Sequence, residues 1–302
     1  MRNPTRSIRA RVYALAGVLC LLPAAPHAAA PLQKTRTVYA SITDKAGAPA
    51  ANLTPADITI REDGQIREVV SVEPSATPVS VALLIDTSQV VQAMTQELRQ
   101  SMTGFVTTLL KLSPDSTVSL TTFGDRPTAV RDFTSSEAVL TKDTGRLFPV
   151  TGSGSYLLDA ILETTKTMKK LDAPHKAIVA FVDESGEEFS NASRQQVFDA
   201  AKDAGTSVWI VVLQSSGAAT QTTEGRDRSA VIGDLPRQSG GTTVTILSKQ
   251  GLSDKMKYLA SLLAHEFAIT YGRPDQLIPP SKFELTVSRK DVNILAPRWS
   301  GQ

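Results

Sequence analysis

Val79-Ser80-Val81-Ala82-Leu83-Leu84-Ile85-Asp86-Thr87-Ser88 is the stretch on which the fold turns. It is an unbroken apolar run, opened by Pro78 and closed by an acid and a hydroxyl. The run is too short for a helix of its own and reads as a strand buried on both faces of a parallel sheet. Open α/β sheets place their ligand sites at the carboxyl ends of such strands. Asp86 and Ser88, two positions apart, supply the hard oxygen donors that a small divalent cation takes.

Working outward, strand and helix patterns alternate, as a parallel sheet with crossover helices requires. Met94, Leu98, Met102, Phe105, Val106, Leu109 and Leu110 share one helical face, and Val118 to Phe123 reads as the next strand. Tyr156 to Lys170 is a helix, and Ala177 to Val182 is a buried strand that ends in Asp183. Ser193 to Ala204 is a helix closed by Gly205, and Val208 to Leu213 is a further buried strand. Ser215 to Asp227 is polar and rich in Gly and Thr and reads as a flexible loop. Thr242 to Leu247 is a short strand, and Leu252 to Glu266 a helix. Upstream of Pro74–Pro78, the period-two alternation of 37–42 and 57–61 predicts strands, with Asp63-Gly64 as a hairpin turn into a return strand over 66–72. The tail from Lys282 to Ala296 alternates as well. The expected organisation is a leader over 1–30, a β-rich preamble over 31–76, an α/β domain over 77–272 and a β-strand extension over 273–302. The preamble reads as an edge ribbon that completes and covers the sheet.

Arg2, Arg6, Arg9 and Arg11 precede the apolar stretch Val12–Leu22 and an Ala-rich end at 24–30, the pattern of a secretory signal. Cleavage between Ala28 and Gln33 and a periplasmic or extracellular destination follow. Lys and Arg number 32 and Asp and Glu 30. The first thirty residues hold four Arg and no acid, which leaves 28 basic against 30 acidic residues in the remainder. A near-neutral exported protein offers no electrostatic case for nucleic acid or for an anionic membrane. No second apolar stretch is long enough for a transmembrane helix. Cys20 is the only cysteine and lies in the leader, so the exported portion has neither a disulfide nor a thiol nucleophile.

The segment 79–88 resembles the opening of a von Willebrand factor type A domain, whose metal motif is Asp-x-Ser-x-Ser. Here the residues are Asp86, Thr87, Ser88, Gln89 and Val90, with Val90 in place of the last hydroxyl. The family's second loop offers a Thr within Gly-Gly-Thr-x-Leu-x-Asp-Ala. This chain reads Gly152-Ser153-Gly154-Ser155-Tyr156-Leu157-Leu158-Asp159-Ala160, with Ser155 at that place. The third loop offers an Asp after a buried strand. Asp183 matches, flanked by Val182 and Glu184 where the family has other residues. The preamble, the closing helix and the paired tail strands resemble a bacterial exported subfamily. The resemblance implies a three-layer Rossmann-like fold and a non-enzymatic module that binds a protein partner at the strand carboxyl ends. It also implies Mg2+ or Mn2+ held by Asp86, Ser88, Ser155 and Asp183. A metal-independent scaffold with a vestigial site is the alternative, in which Asp86, Ser88, Ser155 and Asp183 serve as helix and turn caps.

Other chemistries fit less well. His265-Glu266 lacks the second His of a zinc helix, because position 269 is Ile. His175, beside Pro174, reads as a surface residue. Thr151 to Ser155 lacks the Gly-x-Ser-x-Gly spacing of a hydrolase elbow, and no nucleophile has a base at recognisable spacing. Gly152-x-Gly154 has Leu157 in place of the third glycine of a dinucleotide fingerprint. Glu184, Glu187 and Glu188 read as a solvated acidic loop.

Overall fold

The computed structural model describes residues 33–214, 222–274, 278 and 280–299, so the leader and its cleavage site lie outside the described residues. In chain order, β1 (Gln33–Asp44), β2 (Ile58–Glu62), β3 (Gln65–Arg67) and β4 (Val69–Pro74) precede β5 (Ser80–Ile85). There follow α1 (Thr95–Leu112), β6 (Thr117–Thr122), β7 (Thr128–Thr134), α2 (Glu137–Thr144), α3 (Leu157–Lys170) and β8 (Lys176–Asp183). Next come α4 (Arg194–Ala204), β9 (Ser207–Leu213), α5 (Thr223–Ser239), β10 (Thr243–Ile246) and α6 (Leu252–Ala264). The chain closes with β11 (Phe267–Pro274), β12 (Phe283–Val287) and β13 (Val292–Leu295).

The central sheet has the order β10-β9-β8-β5-β6-β7. All its pairings are parallel except that of β6 with the edge strand β7. Alternate residues of β5 feed two separate cores, as the pleat demands. Val81, Leu83 and Ile85 pack with Leu98, Met102 and Phe105 of α1 and Met256 and Leu259 of α6. Ala82 and Leu84 pack with Leu158 and Ile161 of α3, Val197 of α4 and Val231 and Leu235 of α5. The expected three-layer α/β architecture is therefore present, with β5 at the middle of the sheet.

Two differences from the sequence reading matter for function. Thr222 to Asp227, expected as loop, opens a helix: the Thr222 hydroxyl accepts from Gly225 N, and α5 runs on to Ser239. Gly225, Gly233 and Pro236 obscure its periodicity, yet Arg228, Val231 and Leu235 all turn inward. The remainder of that expected loop, 215–221, lies outside the described residues.

The second difference concerns the added strands. They do not extend the central sheet but pair with one another. One sheet has the order β13-β1-β11-β4 and the other β12-β2-β3, with Ile42, Ile60, Ile269 and Phe283 in their shared core. Their alternating sequences give each strand one apolar face, which suits a half-buried antiparallel sheet. Asp63 and Gly64 both have positive φ, 47° and 83°, and link β2 to β3 through the expected hairpin. Among the described residues no helix is long and apolar enough to cross a membrane.

Candidate functional site

The first loop leaves β5 at Asp86, which is fully buried. One carboxylate oxygen of Asp86, Oδ1, accepts from Ser88 N at 2.8 Å, and the other, Oδ2, accepts from Asp183 N at 3.1 Å. The end of β5 is thus tied to the end of β8, its neighbour in the sheet. Burial pushes the Asp86 carboxyl above the usual carboxylate range, against the pull of its hydrogen bonds to Ser88 and Asp183. Asp183 Oδ1 accepts from Ser185 N at 2.9 Å and from Ser185 Oγ at 2.6 Å, which shapes the turn of the third loop.

The second loop is laced to both others. Val150 N donates to Thr87 O at 2.7 Å, and Gly152 N donates to Gln89 Oε1 at 2.9 Å. Ser155 N donates to Glu187 O at 2.7 Å, and Phe189 N returns to Ser155 O at 2.8 Å. Gly154 permits this approach: a Cβ there would lie 2.2 Å from the Phe189 ring. Gly186 lies against the first loop, since a Cβ on it would stand 3.6 Å from Ser88 Oγ and 3.5 Å from Val90 Cγ2. The structure therefore brings Asp86, Ser88, Ser155 and Asp183 onto three adjoining loops at one end of the sheet, all four buried.

The two hydroxyls distinguish this arrangement from a set of caps. Ser88 precedes the short helical turn Gln89–Met94 but makes no side-chain cap. The cap position of α3 falls on Tyr156, not Ser155, and the free N–H groups of its first turn are taken by Glu188 Oε1 and Ser190 Oγ. Ser88 Oγ and Ser155 Oγ are both buried and make no hydrogen bond of good geometry, although Ser88 Oγ lies close enough to the Asp86 carboxylate, and Ser155 Oγ to the Glu188 carboxylate, to favour its charged form. A buried polar atom normally finds a partner, because desolvation without one costs about 1–3 kcal/mol. Two buried hydroxyls so placed, on loops that also carry Asp86 and Asp183, fit a hard cation that takes oxygen ligands. Among the described residues no group of three or more His, Cys, Asp or Glu is poised for a metal, so such a cation would depend on the serines. Val90, in place of the family's last hydroxyl, is exposed at the rim with Val150 and Phe189.

Two buried charged residues at these loops were not visible in the sequence reading. Glu188, expected in a solvated loop, is buried. Its Oε1 accepts from Ser190 Oγ at 2.5 Å and from Leu158 N at 3.4 Å, in the first turn of α3. Burial raises its pKa to about 7. The flanking Phe189 and the Ser190 two positions on were the available signal, since a carboxylate with a hydroxyl at that spacing bonds locally. Arg228 of α5 is buried and grips the third loop from behind. Its guanidinium donates to Gly186 O, and its Nη2 donates to Glu184 O at 2.7 Å. The loop reading of 215–227 hides the first turn of its helix, and Arg228 falls one residue beyond it.

His175 is also corrected. It is buried, not a surface residue: Nε2 lies 2.5 Å from Glu266 Oε2, and the ring stacks on Tyr39 with centroids 4.1 Å apart. The antiparallel sheet built on β1 covers it, and no pattern local to Pro174 announces that packing.

A von Willebrand factor type A protein from Catenulispora acidiphila superposes with a TM-score of 0.52 at 10% identity, over 83% of this chain and 75% of that one. Proximal thread matrix protein 1 from the mussel byssus superposes with a TM-score of 0.50 at 14% identity, over 64% of this chain and 50% of that one. The D319A mutant of the PilB minor pilin from Streptococcus sanguinis gives 0.48 at 12% identity, over 63% of this chain and 62% of that one. The chain thus spans less than two thirds of the length of the latter two proteins. No curated protein matches the sequence. Residues 81–187, from β5 through the third loop, match the family model of the von Willebrand factor type A domain. With the six-stranded sheet, its two helical layers and three loops gathered at one end, the chain carries a von Willebrand factor type A domain.

Proposed function

We propose that this protein is an exported, non-enzymatic binding module that engages a protein partner through the loops at the carboxyl end of its central sheet. In this reading Asp86, Ser88, Ser155 and Asp183 hold Mg2+ or Mn2+. The cation would supply a Lewis-acidic position for an acidic side chain of the partner. The chain's own part is to hold the loops: Asp86 ties Ser88 to Asp183, Ser155 anchors the second loop on the third, and Arg228 braces the third from behind. The observation that carries the reading is the pair of buried hydroxyls, Ser88 Oγ and Ser155 Oγ, that make no well-formed hydrogen bond within the protein.

The test is capture of a partner on immobilised protein in Mg2+, followed by chelation with EDTA. A partner held in Mg2+, released by EDTA and not captured by Asp86→Ala supports the reading. A partner retained through EDTA and by the variant would contradict it. That outcome would favour the second reading, a metal-independent scaffold, to which the exposed Val90, Val150 and Phe189 lend support.

A further inference from the structure

At the opposite end of the sheet lies a groove of about 550 Å³. One wall is β1, which contributes Thr35, Arg36, Thr37, Val38 and Tyr39 without a gap. A sheet face presents alternate residues, whereas a strand edge presents consecutive ones, so the groove runs along the edge of β1. Residues 33–40 of β1 pair with β11 on one side, and β13 joins β1 only from Ser41 onward. Among the described residues nothing pairs with the other edge over 35–39. The facing wall is formed by residues 173–176 at the start of β8, by Gly205 and Ser207 at the start of β9, and by Pro297 and Trp299. Lys176 begins the strand that Asp183 ends, so the groove is about 23 Å from the metal-type site.

Three features bear on the occupant. An edge strand with open N–H and C=O groups is a template for another strand. Here the edge is recessed behind a facing wall, so the β1 edge of a second copy, recessed in the same way, cannot reach it. A free extended segment can, and the groove lies within the 300–1,000 Å³ range of ligand sites. The charge is also one-sided. Lys169 pairs with Asp203 at 3.8 Å and Glu266 is buried against His175, so the cations that the groove lining presents besides that surface pair are Arg36 and Lys176. Lys176 donates to Met168 O at 2.9 Å, and the charge that acts on it is that of Asp172, outside the groove lining. Finally, His175 lines the groove with its Nδ1 buried and unpartnered.

We infer that this groove receives an extended acidic segment of a partner protein, added as a strand to the free edge of β1. Main-chain hydrogen bonds to 35–39 would give the affinity, and Arg36 and Lys176 would select carboxylate side chains. The inference is independent of metal binding.

Random peptides displayed on phage, selected against the whole protein in EDTA, provide the probe. The expected result is enrichment of peptides with acidic side chains among β-branched ones. A synthetic copy of an enriched peptide should slow amide exchange within 35–39 and leave 86–90 unchanged. Arg36→Gln, at an exposed position, should weaken binding several-fold and Arg36→Glu about tenfold, with the melting temperature of Arg36→Gln unchanged. Absence of enrichment, binding unchanged by Arg36→Glu, or protection confined to the loops at the other end of the sheet would each overturn the proposal.

Discussion

Buried polar groups are handled in opposite ways in two parts of this molecule. In the small-sheet layer, Glu62 is fully buried and fully engaged. Arg67 Nε lies 2.9 Å and Arg273 Nε 3.3 Å from Glu62 Oε2, and the Tyr271 hydroxyl donates to Oε1 at 2.9 Å. Burial and the Glu62 charge push the Tyr271 hydroxyl well above its usual range. At the carboxyl end of the central sheet, Ser88 and Ser155 are just as buried, yet their hydroxyls make no hydrogen bond of good geometry. A satisfied network holds a fold together. An unsatisfied one placed beside two carboxylates is a binding site in waiting, and its cost is borne by the rest of the domain.

The largest effect is expected at the Glu62 cluster. Glu62→Leu removes the buried carboxylate that Arg67, Arg273 and Tyr271 share and should cost about 3–5 kcal/mol in urea unfolding. A loss below about 1 kcal/mol would mean that the cluster is not structural. Arg228→Met comes next. It removes the donors that hold Gly186 O and Glu184 O, and Mg2+ affinity should fall about tenfold in a calorimetric titration, with Arg228→Lys recovering part of the loss. An unchanged affinity would separate this brace from the site.

Ser88→Ala sharpens the contrast, because its two effects have opposite signs. Deleting an orphaned buried hydroxyl should leave the metal-free protein as stable or more stable by up to about 1 kcal/mol, while it weakens Mg2+ binding. Destabilisation of the metal-free protein would mean that the hydroxyl already has a structural partner. Val90→Ser carries the smallest expected effect. It adds an oxygen donor without charge at the rim, and should raise Mg2+ affinity a few-fold with little change in melting temperature. A lower affinity would show that position 90 does not face the cation.

The same contrast explains what was legible in the sequence. Runs such as 79–85 and 177–182, apolar on both faces, admit one environment, so the sheet and its order of elements could be read directly. Asp86, Ser88, Ser155 and Asp183 could be placed because they sit where strands and helices meet, and chain geometry brings those junctions together. The edge strand β7 was not foreseen, because most of its residues are exposed and its alternation is weak. Helix α5 was hidden by its glycines and proline. The pairing of His175 with Glu266, 91 positions away, is long-range, and no local pattern encodes such a contact. The route of the added strands into sheets of their own was likewise settled by packing, since their alternation specifies one buried face without naming the partner strand.

The most direct test of the central claim is calorimetric titration of Mg2+ into the wild-type protein and into Asp86→Ala. The account predicts saturable one-to-one binding to the wild type, accompanied by a higher melting temperature through mass action, and neither effect in the variant. No binding to the wild type, or equal binding to both proteins, would contradict it.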